Sequence, residues 1–474
     1  MTSVLLAELE RAVGHGNVLS DDLGRMLYEY DGGLDRGRPD LVVFPQTRDQ
    51  VVAVVKAARA ARVPLIARGA GTGLSGGAVA RDGGIILSLN RMRRILEVDV
   101  ENARAVVEPG MVNLEFSQTI AATGFYFAPD PSSQRACTIG GNAGENSGGP
   151  HTLSHGVTVN HITGLELVLA DGEVVQVGGK AAEPAAWDLT GVVVGSEGTL
   201  ALITALTIKL TRQAEATGTL LAIYDQVRQA ADSVSALTAA GITPAALEML
   251  DAPCLRAVEE DIHAGYPLDA AAVLLIEVEG LLEEVAEDAG RVKQLCLAAG
   301  AREVRVAATA AEAERLWLGR KSAFGAMGRI APNNYVMDGV IPRTRIADVL
   351  DEVGAIGREY GFKTGNIFHA GDGNLHPLVF FDERAGELPR ALEACRAIIR
   401  VCVAAGGSIT GEHGVGIEKQ DLMPLIFSGD DLSFMERIRQ AFNPEGLLNP
   451  NKMLPQSRTC AEIRGDAALY RAGV

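Results

Sequence analysis

Five glycines fall within the ten residues Arg68-Gly69-Ala70-Gly71-Thr72-Gly73-Leu74-Ser75-Gly76-Gly77, directly after an apolar run, Leu65-Ile66-Ala67, that reads as a strand. A loop this poor in side chains leaves its backbone N–H groups unshielded, free to close on an anion such as a pyrophosphate. The next element along the chain narrows the fold. In a nicotinamide-binding fingerprint the glycine loop opens a helix, and an acidic residue follows about 20 positions later. Here the loop leads to another strand signal, Ile85-Ile86-Leu87-Ser88-Leu89. The loop therefore belongs to a different architecture.

Two more glycine-rich stretches lie further along. Thr138-Ile139-Gly140-Gly141-Asn142-Ala143-Gly144-Glu145-Asn146-Ser147-Gly148-Gly149 comes after Pro129-Asp130-Pro131-Ser132, and Gly195-Ser196-Glu197-Gly198-Thr199 reads as a link between strands Val192–Val194 and Ala201–Ile203. Any one could be an ordinary connection. Three in one region suit a long phosphate-bearing cofactor threaded between two subdomains. Ahead of them, residues 1–36 read as a helical lead-in, and Thr47-Arg48-Asp49-Gln50 has the form of a capping box opening a helix.

A chain of 474 residues, 47% hydrophobic, can bury a large core and implies two or three domains. Its formal charge of −17 argues against a nucleic-acid or anionic-membrane surface as the main partner. Glu8 and Glu10 interrupt the first apolar segment, unlike a signal peptide, and no uncharged run approaches the roughly 20 residues of a membrane helix. Cys137, Cys254, Cys296, Cys395, Cys402 and Cys460 are scattered without Cys-x-x-Cys pairs, so neither an iron–sulfur cluster nor a disulfide framework is expected. A cytoplasmic location is the expectation.

The strongest chemical signal is Asn366-Ile367-Phe368-His369-Ala370-Gly371-Asp372-Gly373-Asn374-Leu375-His376-Pro377, where two apolar runs flank an Asp-Gly pair. A two-residue type I′ turn at Asp372-Gly373 would set Gly371 opposite Asn374 and His369 opposite His376. Directly opposed Cβ atoms lie about 5 Å apart, close enough for two imidazoles to converge on one cation. With only 8 histidines in the chain, this would rarely arise by chance. A carboxylate and a third imidazole, Glu412 and His413, stand in the glycine-rich Gly411-Glu412-His413-Gly414-Val415-Gly416. His369, His376 and Glu412 make a ligand set with an open position, catalytic in type, for a divalent metal such as Zn, Mn or Fe. His413 is left as a proton acceptor.

The Arg68–Gly77 loop, Pro129–Ser132, Thr138–Asn142 and Gly195–Thr199 together resemble the flavin-binding domain of the vanillyl-alcohol oxidase superfamily. The resemblance implies an α+β chain: a two-subdomain FAD-binding domain of the PCMH/vanillyl-alcohol oxidase type, a cap domain and a helical C-terminal segment. Matched residue by residue, it implies a pyrophosphate cradle of Arg68, Gly69, Gly71, Thr72, Gly73, Ser75, Gly76 and Gly77, with Pro129, Thr138, Gly140, Gly141, Asn142, Ser147 and Glu197 elsewhere along FAD. The cradle loop holds no His or Cys, so noncovalent binding is expected. His151, His155 and His161 read as ordinary polar residues.

Past Thr211 the elements read β-α-β-β-α-β, an antiparallel, ferredoxin-like sheet with helices on one face. The expected domains are 1–36 lead-in, 37–212 FAD-binding, 213–415 substrate or cap, and 416–474 a helical segment returning to the flavin. Leu316–Arg329 reads as a helix with a basic face. Through this segment, Tyr335–Pro342, His369–Pro377, Gly411–Gly414 and Phe442–Pro450, the chain resembles the FAD-linked 2-hydroxyacid dehydrogenases, and within them the FAD-containing D subunits of bacterial glycolate oxidases. That resemblance implies Arg320 on the substrate carboxylate and Asn449 near the flavin.

Phe324, Val336 and Leu378 stand where the D-2-hydroxyglutarate dehydrogenases carry polar groups for a distal carboxylate, so a small monocarboxylate, glycolate or D-lactate, is the expected substrate. The resemblance also implies partner chains, a second flavin-domain subunit and an iron–sulfur subunit, through which the protein could sit peripherally at the inner membrane. D-2-hydroxyglutarate oxidation, a non-redox FAD enzyme and a non-catalytic flavin subunit are the alternatives.

Overall fold

Thr47 opens the helix Arg48–Ala61, its hydroxyl accepting the Gln50 N–H. The Gln50 side chain reaches back to the N–H of Gln46, one residue before the one a capping box would use. Val51, Val54, Val55 and Ala58 form the buried face, and Arg62 ends the helix in the left-handed conformation at φ 55°. In the computed structural model, which describes residues 3–181 and 186–455, this helix belongs to the first of two compact units. That unit is drawn from residues 1–147, 157–212 and 413–474, and the second from 148–156 and 213–412.

A two-stranded pair, Phe125–Tyr126 with Thr211–Arg212, and two larger sheets lie in the first unit. One has the order Val18–Leu19, Leu41–Val43, Ile85–Ser88, Leu65–Arg68, its last three strands parallel. The lead-in is thus not purely helical, since Val18–Leu19 pairs antiparallel with Leu41–Val43. The other sheet is antiparallel, in the order Ile95–Asp99, Arg104–Val107, Leu202–Lys209, Ile162–Val168, Val174–Gly178. Beyond the helix Gly429–Phe442 the chain returns to the first sheet, where Leu65 N–H donates to Leu447 and Asn449 N–H to Leu65. The expected strand at Val192–Val194 is instead the end of a short helix, Leu189–Val193, which Asp188 caps through the Gly191 N–H. A good N-cap here overrides the strand preference of valine.

In the second unit the strands Glu303–Val306, Ala216–Tyr224, Ala272–Gly280 and Ala246–Asp251 lie side by side in that order, all antiparallel. Numbered along the chain this is 4-1-3-2, the ferredoxin-like order. The helices Val227–Ala239 and Leu282–Ala298 occupy their expected places. The helix Ala252–Ile262 is additional to the expected elements, although Asp251 as cap and Pro253 in the first turn are a recognisable start signal. The sheet continues through Lys363–His369, which pairs with Ala246–Asp251. Its core packs Leu221, Val273, Leu275, Ile367 and Phe380 against Leu255, Val258 and Trp317 of the helices.

Cys137, Cys254, Cys296, Cys395 and Cys402 are buried and free of disulfides, while Cys460 lies outside the described residues. No helix among the described residues is long and apolar enough to cross a membrane.

Candidate active site

The glycine loop of the first unit carries its own test of whether it suits an anionic cofactor. From Gly69 through Ala78 no backbone N–H donates a hydrogen bond to an acceptor among the described residues. Ser75, Gly76 and Gly77 are buried, and native backbone donors away from solvent are nearly always paired, so their free N–H groups fit an anion such as a pyrophosphate. The buried Nδ2 of Asn142 and Oγ of Ser88 likewise have no hydrogen-bond partner.

Glycine is required where these loops meet. A Cβ on Gly69 would lie 2.4 Å from Thr138 Oγ1, and that hydroxyl accepts the Gly141 N–H as cap of the helix Ile139–Glu145. Gly140 instead packs on Pro109, which a Cβ would meet at 2.4 Å. Arg68 is buried and folds beneath its own loop, its guanidinium against Gly71 and near the Tyr28 ring. Asn449 Nδ2 donates to the carbonyls of Gly77 and Glu197, tying both to the C-terminal return. Pro129 accepts a bond from Asn113 Nδ2, and Ser147 is fixed by Asn142 and Thr158.

Two groups here escaped the sequence reading. Glu145 is half-buried beside Ser75 and lies with Glu197 around Gly414, where a Cβ would meet Glu145 Oε2 at 2.5 Å and Glu197 Oε1 at 2.8 Å. Burial first, then the Glu197 charge, pushes the Glu145 carboxyl well up. Burial also raises Glu197, against the N–H groups of Val415 and Gly416 that its Oε1 accepts. Lys452 donates to Gly77, Val79 and Asn449, and burial pushes its ammonium down to about 8.

The second unit assembles the histidines, though not in the expected register. His369 lies opposite Asn374, not His376, and Gly365 opposite Leu378. A type I′ turn would need both Asp372 and Gly373 at positive φ, and only Gly373 adopts it, at 79°. Asp372 instead accepts the Asn374 N–H, and the connection widens to the four residues Ala370–Gly373. The slip is two residues, and side chains alternate with period two. Both imidazoles therefore keep one face, as diagonal neighbours with ring centroids 5.1 Å apart.

Glu412 Oε1 lies 3.2 Å from His369 Nε2 and 2.9 Å from His376 Nε2. His376 Nδ1 faces the Met337 carbonyl at 3.2 Å and therefore carries its proton there. His369 Nδ1 faces Glu248 Oε1 at 2.7 Å. Two Nε2 lone pairs and a carboxylate oxygen thus converge, and only a proton or a cation between them makes the arrangement stable. The ligand atoms lie within 4.8 Å of one another, all on buried or half-buried side chains. With no cation between them, burial lowers the His369 pKa, but the charges of Glu248 and Glu412 outweigh it and leave the imidazole well above its ordinary value. Glu412 is driven well below the carboxylate range by the two imidazoles, against burial.

The support of this cluster was not legible beforehand. Buried Asp338 accepts the N–H groups of Gly411 and Glu412 and the Thr410 hydroxyl, which holds the glycine loop in place. Arg320 does not lie on a solvated basic face. It is 2% exposed on the helix Ala310–Lys321, with Nε donating to Glu248 Oε2 at 2.7 Å, and its Nη2 has no hydrogen bond although it lies 2.6 Å from the same oxygen. Val336 is the cross-strand partner of Leu378, and Phe324 packs against the same core. His413, next after Glu412, is half-buried. His151 and His155 pair with Glu277 and Glu279, and His161 packs edge-on against Phe127.

Comparison with known proteins places these features in context. Residues 39–178 match the FAD binding domain family and residues 213–453 the family of FAD linked oxidases, C-terminal domain. The chain is 45% identical to glycolate oxidase subunit GlcD of Escherichia coli (strain K12), over 98% of this chain and 93% of the relative. It is 38% identical to glycolate oxidase subunit GlcD of Bacillus subtilis (strain 168), over 96% and 97%, and 30% identical to a D-lactate dehydrogenase of Anaerostipes hadrus, over 88% and 90%. Among solved structures, p-cresol methylhydroxylase is similar in fold at a TM-score of 0.80 and 17% identity, covering 95% of this chain and 96% of the other.

Proposed function

The chain belongs to the FAD-linked oxidases, with both the FAD-binding domain and the family's C-terminal domain, and from that premise we propose that it oxidises a small D-2-hydroxy acid, glycolate or D-lactate, to the 2-oxo acid. The observation that carries this reading is the convergence of His369 Nε2, His376 Nε2 and Glu412 Oε1 beside a buried arginine whose Nη2 lacks a hydrogen bond. The names of the relatives, glycolate oxidase subunit and D-lactate dehydrogenase, support it.

When bound, FAD supplies a two-electron acceptor and a divalent metal, Zn, Mn or Fe, supplies a Lewis acid for the substrate hydroxyl. The free N–H groups of Gly69–Ala78 hold the pyrophosphate, without a covalent link. His369, His376 and Glu412 hold the metal. The Nη1 side of Arg320, turned away from Glu248, takes the substrate carboxylate and fixes which face of C2 is presented, a task a planar guanidinium performs better than an ammonium. His413 accepts the hydroxyl proton on a ring nitrogen while the C2 hydrogen leaves with its electron pair, so that the C–O bond becomes a carbonyl. Phe324, Val336 and Leu378 offer no partner to a second carboxylate, which selects monocarboxylates. Two of the relatives are named as subunits, and we extend this to a second flavin-domain subunit and an iron–sulfur subunit that carry the electrons onward.

The test is anaerobic titration of the flavin spectrum with glycolate, D-lactate, L-lactate and D-2-hydroxyglutarate. Bleaching by glycolate or D-lactate is expected, and by the dicarboxylate far less. His413→Asn should keep its flavin and lose at least about 100-fold in bleaching rate. An unchanged rate removes His413 from the reaction, and full activity after chelation, with no metal by elemental analysis, removes the metal.

A further inference from the structure

Glu248 is wholly buried in the middle of the strand Ala246–Asp251, where the sheet register sets it directly opposite His369. Its two oxygens serve different partners. Oε1 lies 2.7 Å from His369 Nδ1, and Oε2 accepts from Arg320 Nε at 2.7 Å. Stability alone does not call for an ion pair in this place, since apolar side chains of similar volume stabilise a core as well or better.

An ionised carboxylate can only accept hydrogen bonds. His369 must therefore carry a proton on Nδ1, and when a cation replaces the proton on the other nitrogen, Nε2 is the atom left to meet it. By holding Nε of Arg320, with Nη2 2.6 Å from the same oxygen, the carboxylate orients the guanidinium plane and leaves its Nη1 side for another anion. Building on the function proposed above, we propose that Glu248 is a positioning residue. It selects the His369 nitrogen that binds metal and aligns Arg320 for the substrate carboxylate, so that one side chain sets both halves of substrate recognition.

Glu248→Gln separates this role from simple packing. Glutamine fills the same volume, but its carbonyl can accept from only one partner while its NH₂ group meets a donor on the other. Either His369 turns to the tautomer protonated on Nε2 or Arg320 loses its alignment. With FAD-loaded protein stripped by a chelator and titrated with Zn²⁺ by calorimetry, wild type should bind the ion and His369→Ala should lose it. Glu248→Gln should bind it roughly 10–100-fold more weakly, the usual effect of removing an outer-shell partner of a ligating histidine. At saturating Zn²⁺ its KM for glycolate should remain raised while its flavin content matches wild type.

Glu248→Gln that binds Zn²⁺ as tightly as wild type and has an unchanged KM for glycolate overturns the proposal while the metal site stands. Wild type that takes up no Zn²⁺, or His369→Ala that binds it equally well, overturns the metal site itself and this role with it. Should Glu248→Gln not fold, ¹⁵N spectra of histidine-labelled, Zn²⁺-loaded wild type decide. A proton on His369 Nδ1 supports the role, and a proton on Nε2 refutes it.

Discussion

Arg320→Met removes a guanidinium that is 2% exposed and leaves the fully buried carboxylate of Glu248 without its cation. Breaking a buried pair from one side costs about 3–5 kcal/mol, because the remaining charge has neither water nor partner. Glu248 keeps its contact with His369 at 2.7 Å, so the lower end, about 3 kcal/mol, is expected. Adding Glu248→Gln to Arg320→Met should then stabilise the protein. The neutral amide can still accept the His369 Nδ1 proton, and the stranded charge is gone, so about 2 kcal/mol should return. Trp317, 8% exposed in the core next to Arg320, reports unfolding of this unit, provided Trp187, 89% exposed, is replaced by Phe. With a urea slope of about 2–3 kcal/mol per molar, the single variant should shift the midpoint down by roughly 1–1.5 M and the double variant should regain over half of that. A single variant with an unshifted midpoint, or a double variant less stable than the single, would refute the account of Glu248 as a charge held by its partners.

Other consequences can be checked separately. Gly69→Ala places a methyl against Thr138 Oγ1, which a Cβ would meet at 2.4 Å, and should part the two loops. Its FAD affinity should fall at least about tenfold, equivalent to 1.4 kcal/mol, as read from flavin content after dialysis, and wild-type retention would count against the cradle. Gly373→Ala combines φ 79° with a Cβ 2.1 Å from the Ile341 carbonyl and should cost about 2–3 kcal/mol of second-unit stability by urea unfolding. Lys452 has its ammonium pushed from 10.5 down to about 8 by burial, so the unfolded chain binds its proton more tightly than the native one. Native stability should rise with pH from about 8 to 10.5, by up to about 3 kcal/mol, and Lys452→Met should abolish that rise in FAD-free protein. A wild-type profile flat across this window would contradict it.

What the chain reveals on its own is whatever depends on neighbours in sequence. The Thr47 cap, the apolar face of Arg48–Ala61 and the run of glycines at Arg68–Gly77 are local matters, and their chemistry follows from residue type. So is the placement of both histidines on one face of the hairpin, since strand alternation survives any slip by an even number of residues. The register itself was not local. Two residues of turn preference yielded to the pairing of Lys363–His369 with the distant strand Ala246–Asp251 and to contacts of Gly371 with Leu247 and Arg343.

Tertiary structure alone identified Glu248, Asp338, Glu145 and Lys452. In sequence these are four charges among many. Each gains its role only by losing water and meeting partners from separate segments: Glu248 with Arg320, Asp338 with Gly411 and Glu412, Glu145 with Ser75, and Lys452 with Gly77. The energy of a buried charge depends on what surrounds it in space, and that is settled by how distant strands and loops pack.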